Sequence, residues 1–247
     1  MGFNVNNETK LVTVDHSHNN YSVTTTEGNP TTKIFNGLSV ISILQRTKGK
    51  RSKDALGDNS PMLYAFKGIG DLSTTYSSIA SLLPNCFEIL DQVIDNSNVV
   101  WDCVIPMPSS HNIANILSKR VIRRSSASRL EYSALKKISA SDAKLQIQSL
   151  SIKSKDKTRL NGYINRFAKK SSWGHDFQMK SIQIPKLRQH INPLTLDSFS
   201  NNTPPRNILL IDDMVTSGRT LACAELAIKA RYPMTNISAL TLLGSSQ

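Results

Sequence analysis

Two adjacent carboxylates and a hydroxyl-rich loop stand together at residues 212–220. Asp212 and Asp213 follow the continuous apolar run 208–211, which is typical of a strand buried on both faces of a parallel sheet. The loop opens at the carboxyl end of that strand, where open α/β sheets bind ligands. Thr216, Ser217 and Thr220 offer hydroxyls beside a glycine, and the helix predicted next would direct its positive end at the same place. Because carboxylates repel phosphate but suit vicinal hydroxyls or hydrated Mg²⁺, the pattern predicts a ligand with an anionic end and a polyol body, such as ribose 5-phosphate.

The segment Leu209–Thr220 (LLIDDMVTSGRT) resembles the phosphoribosyl pyrophosphate (PRPP) signature of the type I phosphoribosyltransferases at every position. The resemblance implies that Asp212 and Asp213 hold the ribose 2′ and 3′ hydroxyls and meet Mg²⁺ indirectly. It also implies that the 5′-phosphate is wrapped by five loop residues, namely Thr216, Ser217, Gly218, Arg219 and Thr220. The expected fold is α/β, with a twisted parallel sheet and helices on both faces.

The residues after the signature supply the context that it requires. An apolar stripe at helical spacing runs through Leu221, Ala224 and Ile228, and Pro233 ends that helix. Residues 237–243 then predict another strand, which makes a right-handed βαβ crossover. Because the sequence ends four residues later, we expect any hood over the site to come from an insertion within the chain.

A second anion site is predicted after another apolar strand, at residues 99–105. The loop Met107–His111 leaves this strand, and a helix with one apolar face follows. Ser109 and Ser110 could contact pyrophosphate there, or they could simply cap the first turn of the helix. The run VIPMPSS resembles the pyrophosphate-loop entry of the competence protein F-like branch of the family, which favours the first alternative.

Lys67 lies in the segment YAFKGIGD, between aromatic residues and two glycines, ahead of a helical pattern. This order also resembles the competence protein F-like branch. Lys67 is therefore a third candidate for pyrophosphate binding, and a surface lysine is the alternative.

Positive charge is concentrated in one part of the chain. Between residues 119 and 190 there are 18 Lys and Arg against four acids, a net charge of +14, whereas the whole chain carries +12. This excess indicates a polyanionic ligand or partner, either PRPP and pyrophosphate or DNA or RNA. A solvated basic surface is the alternative.

Residues 123–202 are expected to form a basic insertion that acts as a lid or hood. Helix-like spacing occurs over residues 130–138 and 145–150, and SSWGHD at 171–176 is typical of an exposed turn. Candidates to meet the departing pyrophosphate are Arg159, Arg166, Lys169 and Lys170. Alternatively, the interleaved basic and aromatic residues Tyr163, Arg166, Phe167 and Trp173 could stack single-stranded nucleic acid.

The N-terminal residues 1–61 are expected to be an appendage to a phosphoribosyltransferase-like domain at 62–247. Within them, residues 10–14 and 21–26 could pair as a hairpin, residues 35–44 are apolar enough to pack, and residues 46–60 are typical of a loop. The three cysteines are far apart and predict ordinary buried thiols. No apolar window approaches the ~20 residues that span a bilayer, so we expect a cytoplasmic protein without a membrane partner.

The resemblance thus implies a Mg²⁺-dependent phosphoribosyltransferase whose acceptor is a base, a nucleotide or another nucleophile. Two other functions use the same site: a PRPP- or nucleotide-sensing protein that binds nucleic acid, and an effector held in check by a partner complex. A protein partner or a homo-oligomer is compatible with the polar N-terminal segment and the insertion.

Overall fold

A mixed seven-stranded sheet forms the centre of the computed structural model, which describes residues 2–47, 57, 59–127, 129–200 and 203–246. Most of the loop predicted at residues 46–60 lies outside the described residues. The sheet contains β3 (Ser22–Val23), β4 (Thr31–Phe35), β5 (Leu38–Arg46), β7 (Cys103–Pro106), β8 (Arg129–Leu130), β11 (Asn207–Met214) and β12 (Asn236–Leu243).

Five of these strands are parallel, in the order β5-β12-β11-β7-β8. At one edge β3 and β4 both pair with β5 in the antiparallel sense. The expected parallel sheet is therefore present, with an antiparallel edge that the sequence did not predict. The strand at 99–105 is shorter than expected, because only Cys103–Pro106 enters the ladder beside β11.

Helices cover both faces of the sheet. These are α1 (Pro61–Lys67), α2 (Tyr76–Asp95), α3 (Ile113–Arg124) and α6 (Arg219–Lys229). Along β11 the side chains alternate: Leu209 and Ile211 pack in the core that includes α1, α2 and α3, whereas Ile208 and Leu210 pack in the core that includes α6. Because both faces are apolar along residues 208–211, the two acidic residues of β11 stand at its carboxyl end.

The N-terminal segment is part of this architecture. A small sheet joins β1 (Gly2–Asn6), β2 (Leu11–Asp15) and β6 (Ser73–Thr74), so the predicted pairing of residues 10–14 with residues 21–26 is wrong. β5 lies next to β12 in the principal sheet. The sheet therefore crosses the expected boundary between residues 61 and 62, and residues 38–46 are a core strand and not an appendage.

The insertion forms a packed unit, which we call the hood (residues 135–196). It contains β9 (Leu135–Lys137), α4 (Ala140–Ser149), α5 (Ser154–Lys170) and β10 (Leu194–Leu196), with 3₁₀ turns at Met179–Ser181 and Pro185–His190. Ser139 and Asp142 form a capping box at the start of α4. The helix expected over residues 130–138 is wrong, because this segment holds β8 and β9; the exposed turn at residues 171–176 is confirmed.

The hood has its own apolar core, separate from the two cores on the sheet. Its fully buried members include Ile147, Leu160 and Ile164, from both helices. Tyr163 is buried in this core, so the stacking role expected for it is wrong. Phe167 is half-buried against the same core, and its stacking role stays a prediction.

The three cysteines are buried and free, as predicted. Burial raises the pKa values of Cys86 and Cys103 to about 12, so both thiols are protonated at neutral pH. Among the described helices, none is both long enough and apolar enough to cross a membrane.

Candidate functional site

The acidic pair lies near the carboxyl end of β11, just past the last residue that pairs with β7. Asp213 is buried, with 8% of the residue exposed, and Asp212 is partly exposed beside it. The backbone N–H of Asp213 donates a 2.8 Å hydrogen bond to Oδ1 of Asp212, which fixes the orientation of that carboxyl. Oδ2 of Asp212 accepts no hydrogen bond from a described residue and is available to a ligand hydroxyl.

Lys67 reaches this pair from the last turn of α1. Its Nζ lies 2.5 Å from Oδ2 of Asp213, and both side chains are largely buried. Gly68 ends α1 in the left-handed conformation directly after the lysine. The structure thus brings Lys67 to the acidic pair, on the side where the sequence predicts the ribose.

Burial raises the pKa of Asp212 to about 7, and the negative charge of Asp213 raises it further in the same direction. The Asp213 N–H and the Lys67 ammonium oppose this shift by stabilising the charged form. Asp212 therefore exchanges a proton near neutral pH, whereas Asp213 is held in an ion pair. The two adjacent carboxylates are chemically different.

The loop after β11 presents unused hydrogen-bond donors. No described residue accepts a hydrogen bond from the backbone N–H groups of Thr216, Ser217 or Gly218, and no side chain caps the N-terminus of α6. The hydroxyls of Thr216, Ser217 and Thr220 also have no hydrogen-bond partner among the described residues, and all three residues are exposed. Free N–H groups at the positive end of an 11-residue helix are a favourable environment for a phosphate.

Gly218 shapes this loop for two reasons. Its φ of +68° is in the left-handed region, which only glycine adopts readily, and it is the N-cap of α6. A Cβ at this position would lie 2.5 Å from Cβ and Cγ of Phe35 in β4. The end of β4 therefore packs directly against the loop, so the antiparallel edge of the sheet helps to define the site.

Arg219, which the resemblance assigned to the phosphate, has a different contact. Its guanidinium donates a 2.9 Å hydrogen bond to the backbone carbonyl of Arg188 in the hood. Asn192 of the hood similarly donates to the carbonyl of Cys223 in α6. The hood is thus anchored to the helix that begins at the loop.

The loop after β7 opens at the same edge of the sheet. Pro106 lies opposite Ile211 in the parallel ladder, and the N–H of Met107 donates to the carbonyl of Ile211 at 2.8 Å. Ser109 and Ser110 follow and are exposed. Neither serine caps α3, because Asn112 occupies the N-cap position, where its side chain makes no capping hydrogen bond. Oγ of Ser109 instead accepts a hydrogen bond from the N–H of His111.

Arg46 is a buried supporting residue that the sequence analysis missed. Its guanidinium donates to the carbonyl of Val215 at 3.1 Å, to the carbonyl of Gly244 at 2.5 Å, and to Oγ of Ser60. These bonds tie the end of β5 to the start of the loop. Arg46 is the first residue of the loop predicted at residues 46–60, whereas in the structure it is the last residue of β5.

The described residues contain no group of three or more His, Cys, Asp and Glu side chains that could hold a metal ion. The site instead offers one carboxyl that is free at Oδ2 and one that is paired with a lysine. Mg²⁺ usually keeps several waters and binds through one or two carboxylates together with substrate phosphates. The donor set therefore fits a Mg²⁺ ion that arrives with a diphosphate and contacts the acids through water.

The candidates that the insertion offers for meeting the departing pyrophosphate all lie on α5. They are Arg159, Arg166, Lys169 and Lys170, and each is exposed on the hood surface. None forms a hydrogen bond or ion pair with the loop at 216–220. The structure therefore does not bring them together with the acidic pair.

Comparison with protein-family models and with curated proteins found no match for this chain.

Proposed function

We propose that the loop at residues 216–220 and the acidic pair bind PRPP, and that the protein is a phosphoribosyltransferase of the type I fold. One observation carries the proposal: an uncapped helix N-terminus with free N–H groups follows directly after two carboxylates, of which one is free at Oδ2 and the other is paired with Lys67. The phosphate of a ribose phosphate would bind the free N–H groups, and the diol of the same ribose would bind the two carboxylates. The five parallel strands with covered faces are compatible with the fold.

The ribose end of PRPP would be held by hydrogen bonds to the acids. Oδ2 of Asp212 is oriented by the Asp213 N–H and free to accept from a ribose hydroxyl. Asp213 accepts from the second hydroxyl while Lys67 neutralises part of its charge. Neutralisation matters because PRPP is itself a polyanion, which two uncompensated carboxylates would repel.

The chain contributes mainly position and charge to the transfer. The bond between C1 of the ribose and pyrophosphate breaks as the bond from the nucleophile to C1 forms, through a transition state with cationic character at the sugar. Ser109 and Ser110 are exposed on the loop after β7, at the sheet edge where the departing pyrophosphate would lie, whereas Lys67 stays beside Asp213 on the ribose side. Fixed donors at that place stabilise the charge that develops on the leaving group.

Mg²⁺ bound with PRPP would supply additional positive charge for the leaving pyrophosphate. Asp212 is the residue that would hold one of its water ligands. Because its pKa is about 7, proton loss from Asp212 is coupled to the arrival of the cation.

The test is calorimetric titration of PRPP with Mg²⁺ into the wild type and into Asp212→Asn/Asp213→Asn. We expect saturable one-site binding by the wild type and at least a tenfold loss of affinity in the double variant. A matched control is Glu88→Gln/Asp95→Asn, which removes the same charge from exposed positions on α2. Equal affinity in all three proteins would reject the site.

Turnover is tested separately by mass spectrometry of mixtures containing PRPP and a panel of bases, nucleotides and oligonucleotides. A phosphoribosylated product together with released pyrophosphate would establish the transfer and identify the acceptor. Tight PRPP binding without any product across the panel would instead favour a sensor that uses the same site.

A further inference from the structure

Five cations form a straight stripe on the outer surface of the hood. They are the exposed residues Lys155, Arg159, Arg166, Lys169 and Lys170 of α5. At ~100° per residue they fall within an arc of about 100°, and at ~1.5 Å per residue they extend over roughly 22 Å. We call this surface the α5 stripe.

The charges of the α5 stripe are not paired with acids in the part of the chain that the structure describes. None of the five residues forms an ion pair with a described residue. Arg166 only donates to the carbonyl of Gly162 in its own helix and stacks over the ring of Tyr163. Aligned like charges repel one another, which indicates that an external polyanion relieves the repulsion when it binds.

Gly162 lies in the middle of the stripe. A Cβ at this position would meet no atom within 4 Å, so the helix surface is open there. Glycine inside a helix lowers its stability by ~0.5–1 kcal/mol relative to alanine, and nothing in the packing of the hood demands it. The open surface would allow a linear chain to approach the helix backbone between the two groups of cations.

An aromatic cleft lies beyond the C-terminal end of α5. Trp173 is three residues past Lys170 and 41% exposed, and Nζ of Lys144 stands 4.7 Å from the centre of its ring. Trp173, Lys144 and the 62% exposed Leu145 line a shallow cleft of about 380 Å³. An exposed indole with an apolar side chain and a cation beside it is suited to stacking a nucleobase.

We propose that the hood binds single-stranded nucleic acid, with the sugar-phosphate backbone along the α5 stripe and a base stacked on Trp173. The stripe supplies charge along a line, and the cleft supplies a face for a base that is not paired in a duplex. A duplex keeps its bases stacked inside, so the cleft favours a single strand. This function is independent of PRPP binding, because it uses no residue of the loop or the acidic pair.

The first test compares the salt dependence of binding. Fluorescence anisotropy with labelled 20-residue oligo(dT) and oligo(U) would be measured for the wild type and for Lys155→Gln/Arg159→Gln/Arg166→Gln/Lys169→Gln. Each neutralised phosphate of a single strand contributes about −0.7 to the slope of log K against log salt concentration. We therefore expect the slope of the variant to be smaller in magnitude by about 3.

The matched control is Lys119→Gln/Arg123→Gln/Lys180→Gln/Lys186→Gln. It also removes four positive charges, but from exposed positions outside the stripe. A smaller salt slope in the stripe variant alone supports the proposal. An equal decrease of the slope in both variants would show only a diffuse effect of net charge and would overturn the proposal. If the quadruple stripe variant does not fold, Arg159→Gln/Lys169→Gln is used, with an expected slope change of about 1.4.

The second test addresses the cleft. Trp173→Ala should weaken binding of the single strands about 5- to 150-fold and leave the salt slope unchanged, since stacking releases no counterions. Binding of a 20-base-pair duplex should be weaker in the wild type and insensitive to this substitution. Absence of binding to either oligonucleotide at 20 mM salt, or binding only to vesicles of anionic lipid, would refute the proposal.

Discussion

The ammonium of Lys67 and the carboxylate of Asp213 form a largely buried ion pair with a separation of 2.5 Å, which joins α1 to the end of β11. Lys67 is thereby the counterion of an acidic pair that would otherwise place two negative charges side by side. Within the described residues, no other Lys or Arg forms an ion pair with either acid. This contact lets β11 keep two adjacent carboxylates at a buried strand end.

Lys67→Met should destabilise the protein by about 1–3 kcal/mol, because removing one partner leaves a charge that is poorly solvated. Asp213→Asn should be destabilising for the reciprocal reason. The double variant should be less destabilised than the sum of the two single variants, since neither charge is then left alone. Urea unfolding of the four proteins completes the double-mutant cycle, and strict additivity would show that the pair contributes nothing.

Asp212→Asn should raise stability at neutral and alkaline pH. The folded carboxyl keeps its proton up to about pH 7, whereas an ordinary Asp loses it near 3.8. Between these values the folded state binds more protons, so the contribution of Asp212 to stability is complete below pH 3.8 and is lost as the pH rises to 7. Asparagine is neutral at every pH, so the Asp212→Asn protein does not lose stability in this way as the pH rises.

The measurement is the difference in melting temperature between Asp212→Asn and the wild type at pH 5, 6, 7 and 8. We expect the difference to grow with pH and to correspond to roughly 1–3 kcal/mol at pH 8, allowing for the partial exposure of the site. PRPP affinity should fall in the same variant. A difference that does not vary with pH would mean that Asp212 titrates as an ordinary carboxyl.

The central βαβ unit could be predicted from the sequence because its signals are local. The buried run 208–211 is apolar at every position, and the apolar stripe of α6 has helical spacing, so the local sequence predicts both the strand and the helix. Gly218 and the two acids are fixed by the same short segment. Their placement at the carboxyl end of the strand follows from chain order alone.

Other parts depend on contacts between distant residues. β8, β9 and β10 have only two or three residues each, too few to show a period of two, and the segment 130–138, which contains β9, has helix-like spacing. β5 becomes a core strand only because β12 pairs with it, which no local pattern reveals. Likewise, the resemblance around Lys67 implied a pyrophosphate contact, whereas the structure pairs this lysine with the carboxylate of Asp213.

Gly218→Ala should impair both stability and phosphate binding. The substitution places a side chain at a φ of +68° and within 2.5 Å of Phe35, so the loop must move or the backbone must strain. We expect a loss of about 1–3 kcal/mol in the free energy of unfolding and a clear drop in PRPP affinity. Denaturant unfolding and calorimetric titration are the measurements.

Gly162→Ala is the comparison for that variant, since it adds the same methyl group where there is open space and an ordinary helical φ. It should stabilise the protein by ~0.5–1 kcal/mol through helix propensity and leave PRPP affinity unchanged. Equal effects of the two substitutions would show that the loop conformation at Gly218 is not required.

Leu160→Ala should loosen the hood without loosening the sheet. Leu160 is fully buried in the core that α4 and α5 share, and that core is separate from those on the sheet. Truncating a buried leucine to alanine lowers the free energy of unfolding by about 2–5 kcal/mol, which is a large part of the stability of a unit as small as the hood. The amides of α4 and α5 should therefore lose protection from hydrogen exchange while those of β11 and β12 keep theirs.

Leu145→Ala, at an exposed position of α4, is the control and should change protection in neither region. A uniform loss of protection across the chain in Leu160→Ala would show that the hood and the sheet unfold as one cooperative unit.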